Sequence, residues 1–161
     1  MTSFFFASEK DFSRLLELKQ EWFEYEANND NRLDKSFSKK GLATTLKETL
    51  ADNNSIIIIA RDSSVYIGFV SVQIGEAPPH AKPTNIGLIR ALYVRPEARR
   101  SGVATKLIEK AHRWAKEHGA TRVSVSVNAQ NTQALSFYKK SGYHPRLVVL
   151  SKELPNRGKT L

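Results

Sequence analysis

The 161-residue sequence predicts a mixed α/β fold whose elements run β-α-α-β-β-β-α-β-α-β. Three observations carry this. The run from Ile86 to Val94 is rich in β-branched and large apolar residues and is stopped by Pro96, which marks a strand. From Gly102 to His118 the apolar residues Val103, Ala104, Leu107, Ile108, Ala111, Trp114 and Ala115 form one stripe of an α-helix. Val123, Val125 and Val127 then alternate with serines, as in a further strand.

The remaining elements follow in order. Thr2 to Ala7 reads as a first strand. Ser8-x-x-Asp11 resembles a capping box, with Asp in place of the usual Glu. Phe12, Leu15, Leu16, Trp22 and Phe23 give a helix to about Ala27, broken by the Asn-rich segment 28–32. A second helix runs from Lys39 to Ala51, and Asp52-Asn53-Asn54 is a turn. Ser55–Arg61 and Val65–Ile74 read as a hairpin joined by Asp62-Ser63-Ser64. Gly75 to Asn85 holds Pro78, Pro79 and Pro83 and reads as a loop. Gly119 sits where the long helix should stop. A short helix spans 132–141 and ends at Gly142, and Leu147–Leu154 is expected to be a last strand.

Length and composition fit one domain over residues 1–161, with 40% apolar and 25% charged residues. With no cysteine, disulfides, thiolate metal sites and a cysteine nucleophile are excluded. Phe4-Phe5-Phe6-Ala7 is too short for a signal-peptide core, and Ile56–Ala60 is far below the ~20 residues of a membrane span. The expected location is the cytoplasm, with no membrane partner. The net charge of +9 is unevenly spread: residues 9–34 hold eight acids against four bases, and residues 90–122 hold nine bases against three acids. A basic half suits an anionic donor and an acidic half a cationic acceptor. No nucleic-acid-binding motif or interleaved aromatic platform accompanies the basic half, so nucleic acid is not an expected partner.

The segment Arg99-Arg100-Ser101-Gly102-Val103-Ala104 lies between the strand 86–94 and the long helix. A helix start offers unpaired N–H groups and the positive end of the dipole. Gly102 lets a ligand approach the backbone, and two arginines add fork-shaped donors. Such a turn holds a phosphate or pyrophosphate. Its spacing is neither that of a Walker loop nor that of G-x-G-x-x-G.

A second block follows downstream, with Asn131, Ala134, Phe137, Tyr138, Gly142 and Tyr143. Together the two blocks resemble the GNAT superfamily of N-acetyltransferases. Its coenzyme signature is Gln/Arg-x-x-Gly-x-Gly/Ala, matched by Arg99, Gly102 and Ala104. Its second signature is an Asn, an Ala three residues on, then Phe-Tyr and a Gly-aromatic pair, matched by the downstream block. The resemblance covers about residues 55–154.

The resemblance implies a GNAT-like fold in which the strand 86–94 bends at a bulge and splays from the strand near 122–127, the acyl-CoA arm lying in the V-shaped gap. It implies direct acetyl transfer from acetyl-CoA, as cosubstrate and without a metal, to a primary amine of a small molecule or peptide. The backbone of Leu92, Tyr93 and Val94 would pair with the pantetheine amides and polarise the thioester carbonyl. Arg99, Arg100, Gly102, Val103, Ala104 and Thr105 would hold the pyrophosphate. Asn131 and Phe137 would flank the pantetheine arm, with Asn131 equally suited to cap the following helix. Lys140 would meet a CoA phosphate or remain a surface lysine. Tyr138 would be the general acid toward the departing thiolate.

Many family members carry Glu or Asp where this chain has Arg90 or Ala91. A base must come from elsewhere, with Glu24, Glu26, Asp34, Glu76 and His80 as candidates. His112, His118 and His144 read as surface or structural residues. A non-catalytic acyl-CoA-binding module of the same fold is the alternative, ahead of a basic nucleic-acid-binding domain. The acceptor, and whether the chain forms a homodimer, stay open at this point.

Overall fold

The computed structural model describes residues 1–34, 36–37, 39–78, 80 and 84–155. Its elements are β1 (Thr2–Phe6), α1 (Phe12–Asn29), α2 (Lys39–Ala51), β2 (Ser55–Asp62), β3 (Val65–Glu76), β4 (Asn85–Val94), α3 (Val103–Glu117), β5 (Ala120–Val125) and α4 (Thr132–Lys140). The strands form one sheet in the order β1-β2-β3-β4-β5. All pairs are antiparallel except β4 with β5, which is parallel and joined through α3. The expected loop from Gly75 to Asn85 is shorter than the sequence predicts: Gly75 and Glu76 extend β3 and Asn85 begins β4, pairing across the hairpin, while Pro79 and residues 81–83 lie outside the described residues.

The sheet is buried on both faces, which explains the unbroken Ile56–Ala60 run in β2. Side chains of a strand alternate between faces. Ile58 and Ala60 join Val70, Val72 and Ile89 in a core closed by Leu107, Ile108, Ala111 and Trp114 of α3. Ile57 and Ile59 join Phe69, Ala91 and Tyr93 in a second core, closed by Leu15 and Leu18 of α1 and Leu42 and Leu46 of α2. α3 approaches the sheet closely at Gly87, where an added Cβ would stand 2.9 Å from the Ala115 Cβ.

Local signals act as the sequence predicts, with one shift. The Ser8 to Asp11 capping box forms, with the Ser8 N–H donating to Asp11 Oδ2 at 2.8 Å. It caps a 3₁₀ turn, Glu9–Asp11, that leads into α1.

The expected strand over Leu147–Leu154 does not form: residues 143–155 have no regular secondary structure. The run Leu147-Val148-Val149-Leu150 is continuously apolar, a pattern suited to burial on both faces. No edge accepts its hydrogen bonds, and its side chains stay 76–90% exposed.

Candidate active site

The site is built around the place where β4 and β5 part. Asn85 to Ile89 pair with β5, the last partners being Ile89 and Val125. Beyond that point β4 continues to Val94, still paired with β3 but with no strand among the described residues on its other side. The cause is a bulge. Ser71 faces Ala91 and Val72 faces Ile89, so Arg90 is an extra residue on β4. A bulge bends its strand and increases the local twist. The free edge of Ala91–Val94 therefore offers a row of backbone N–H and C=O groups to an extended ligand.

A groove of about 560 Å³ follows this edge. Leu92, Tyr93 and Val94 form one wall, with Arg99, Arg100, Gly102, Ala104 and Thr105 at its mouth. Asn131, Phe137, Tyr138 and Lys140 line the opposite side. Eleven positions from two separate sequence blocks and β4 are thus brought together with Tyr138. Val103 is the exception: it is buried in the α3 core and does not line the groove.

The turn into α3 is shaped for close approach. Arg100 (φ 61°) and Gly102 (φ 82°) both adopt left-handed backbone. An added Cβ at Gly102 would meet nothing within 4 Å, so the backbone is bare on that side. The first helical bond runs from Lys106 N–H to the Gly102 carbonyl at 3.1 Å. The N–H groups of Val103, Ala104 and Thr105 thus precede the helical ladder. Arg99 is spent on scaffolding: its Nε donates to the Val94 carbonyl at 2.8 Å, and its guanidinium covers the Tyr25 and Tyr93 rings at 5.1 and 5.9 Å. Arg95 binds Glu21 at 2.7 Å, and the Tyr93 hydroxyl donates to the same carboxylate at 3.3 Å. Those contacts fix α1 against the end of β4.

Asn131 caps α4, its Oδ1 accepting from the Ala134 N–H at 3.1 Å. Tyr138 is 7% exposed and packs edge-on against Phe137 and Tyr143. Its hydroxyl has no hydrogen-bond partner among the described residues. Burial, aided by Tyr143 and Glu26, pushes its pKa above the usual phenol range, so it carries its proton at neutral pH. Burial also raises the pKa of Tyr143 to about 12, and the Tyr143 hydroxyl meets His112 Nε2 at 2.6 Å. His118 stacks on Trp114 with its Nδ1 against the Trp114 carbonyl at 2.8 Å. Both histidines have structural contacts, as expected.

Of the five candidate bases, Glu26 is the one that lines the groove. Glu24, Asp34, Glu76 and His80 are exposed and outside it. Burial, with a smaller contribution from Asp30, raises the Glu26 pKa above the ordinary carboxylate range. Trp22 and Tyr25, which the sequence motifs do not include, line the groove beside Glu26. The signal was there: the spacing of 3 and 4 residues from Trp22 puts Tyr25 and Glu26 on one helix face.

The acetyltransferase (GNAT) family matches residues 12–143. An aminoglycoside N(6')-acetyltransferase of Acinetobacter haemolyticus is 27% identical over 92% of this chain and 96% of its own length. An uncharacterised N-acetyltransferase of Bacillus subtilis (strain 168), YhfO, is 29% identical over 65% of this chain and 68% of its own. In fold, the aminoglycoside acetyltransferase AAC(6')-Iy solved with CoA aligns over 96% of each chain at 16% identity, with a TM-score of 0.79. No described helix is long and apolar enough to cross a membrane. The chain belongs to the acetyltransferase (GNAT) family, and its activity is transfer of an acetyl group from acetyl-CoA to an amine.

Proposed function

We propose that residues 1–161 act as one domain that acetylates a small-molecule primary amine in the cytoplasm, with Glu26 as base and Tyr138 as acid. The observation that carries this reading is the meeting of Glu26 and Tyr138 in one groove along the free edge of β4. The aminoglycoside-modifying relatives support a small-molecule acceptor. The amine nitrogen attacks the thioester carbonyl carbon while its proton passes to the Glu26 carboxylate. Backbone N–H groups of Leu92–Val94 stabilise the oxyanion. The C–S bond then breaks, and the sulfur takes the hydroxyl proton of Tyr138, which regains one from solvent.

The two groups are coupled. The Glu26 charge helps to hold the Tyr138 pKa up. Once Glu26 has taken the amine proton, that charge is gone and Tyr138 becomes a better acid as the thiolate leaves. Burial in the same groove also raises the basicity of the sulfur.

The test is Tyr138→Phe, which removes one hydroxyl that has no partner to lose. Turnover, read as free CoA thiol with any amine from a panel, should fall about 10- to 1,000-fold. The acetyl-CoA dissociation constant should move by less than about threefold, because a transition-state interaction is lost. Wild-type turnover with chemistry rate-limiting would leave Tyr138 a packing residue. Tight acetyl-CoA binding by the wild type with no turnover of any amine would favour the non-catalytic module.

We further propose a homodimer in which Leu147–Leu150 of one protomer lie along the β5 edge of the other. The exposed apolar run and a sheet ending at β5 support it. Light scattering should give twice the 18.1 kDa chain mass, and Val148→Asp should return it to one. A wild type that stays monomeric at micromolar concentration would refute this.

A further inference from the structure

One residue of α1 breaks the amphipathic rule. Lys19 lies four residues beyond Leu15 and three before Trp22, on the stripe that faces the sheet. It is 7% exposed, as deep as the core residue Leu16. Among the described residues its ammonium has no hydrogen bond or ion pair, and its recorded contact is the Trp22 ring, 5.8 Å from Nζ. A buried charge is normally paired. Burial lowers the Lys19 pKa, which reflects the missing partner.

Lys19 borders a second cavity, of about 340 Å³, between α1, α2 and the sheet. Phe23, Phe37 and Leu42 give it an apolar wall, and Arg90 stands at its polar end. Arg90 is the bulge residue of β4, and its Nε and one terminal nitrogen both donate to Gln73 Oε1, at 3.0 and 2.6 Å. A guanidinium has five N–H donors, so most remain available. Gln73 is itself held by Asp52 at 3.3 Å, outside the cavity lining. No described lining residue is a carboxylate, and the neighbouring Asp52 carboxylate is taken up by the Ser55 hydroxyl and the Gln73 amide. Trp22, Arg90 and Ala91 line this cavity and the coenzyme groove alike, so the two adjoin beside the free edge of β4.

We propose that this cavity binds the acceptor, and that the acceptor is an amino acid: Lys19 and Arg90 take its carboxylate, the apolar wall takes its side chain, and its amine points to the groove. The assignment deepens the acetyl-transfer reading above and rests on it. The acids of α1 lie elsewhere: Glu17 and Glu24 are exposed, Glu21 is tied to Arg95, and Glu26 lines the groove. A polycation would meet two positive groups in the cavity with no acid to offset them. An amino acid supplies the one charge that the site lacks.

The experiment compares leucine and phenylalanine with their amides, and with kanamycin, as acceptors for the full chain and acetyl-CoA. The amide's amine is the less basic, so more of it is neutral near pH 7.5. A preference for the acid therefore cannot come from the amine. The acid should exceed its amide in kcat/KM by at least about tenfold, the scale of a charge-assisted hydrogen bond. In Lys19→Met that ratio should fall toward one, and in Arg90→Gln it should also fall. The melting temperature of Lys19→Met should be no lower than that of the wild type, because an unpaired buried charge is replaced by an apolar chain of similar length. Amides turned over as well as acids, or kanamycin turned over in their place, would overturn this assignment and leave acetyl transfer standing. Acetyl-CoA binding with no turnover of any amine would overturn both.

Discussion

Gly102→Glu is expected to abolish acetyl-CoA binding while the fold survives. The reasoning separates two effects. The left-handed φ of 82° at Gly102 disfavours any side chain, at about 1 kcal/mol. That is a loss of stability and shows as a modest drop in melting temperature. The space beyond the Cα is open, so no clash adds to it. The glutamate then sets a carboxylate where the bare backbone and the N–H groups of Val103–Thr105 would meet a phosphate. Titration calorimetry should show acetyl-CoA affinity reduced by at least 100-fold, about 2.7 kcal/mol. Gly102→Ala shares the backbone penalty without the charge and should lose much less affinity. A folded Gly102→Glu variant with unchanged affinity would move the phosphate site away from this turn.

Glu26→Gln should lower kcat about 100- to 10,000-fold, with the coenzyme bound as before. The carboxylate must be ionised to accept a proton, so kcat/KM should rise with pH through an acid limb. That limb should sit above the ordinary glutamate value, because burial raises the Glu26 pKa. It should vanish in the variant. Stability moves in the opposite direction. A folded pKa above the unfolded one means that ionised Glu26 disfavours the fold, a penalty absent below the unfolded pKa and complete above the folded one. The variant should therefore melt no lower than the wild type at neutral pH. A retained acid limb in Glu26→Gln would assign the base elsewhere.

Most of the fold was legible in the sequence because its elements announce themselves locally. The α3 stripe, the Pro96 stop, the Gly119 end and the Ser8–Asp11 box each act over a few residues. Leu147–Leu154 failed for the opposite reason. Whether an apolar run becomes a strand depends on pairing with a distant strand, which adjacent residues do not encode. The residues proposed to hold the coenzyme were readable as a set, since they form two compact blocks that the fold brings to one groove. The acceptor side was not. Lys19, Trp22 and Glu26 share a helix face whose partner, the Arg90 bulge, lies some seventy residues on. The bulge was foreseen through the family resemblance and not from a local signature, and a lysine on an apolar stripe reads as noise until its burial is known.

The two cores divide the labour of this molecule. The helix that follows the coenzyme turn packs on one side of the sheet and the acceptor cavity lies on the α1 and α2 side, with Arg99 reaching across to the Tyr25 and Tyr93 rings. The Arg90 bulge switches the faces of β4 partway along it: Ile89 and Val94 belong to one side, Ala91 and Tyr93 to the other. Changes in residues that are well separated and share no partners combine nearly additively. Positions that border the acceptor cavity alone, such as Phe37 and Leu42, can therefore drift without loosening the grip on acetyl-CoA, whereas Trp22, Arg90 and Ala91 line both sites. A chain arranged in this way is free to change its substrate while keeping its chemistry.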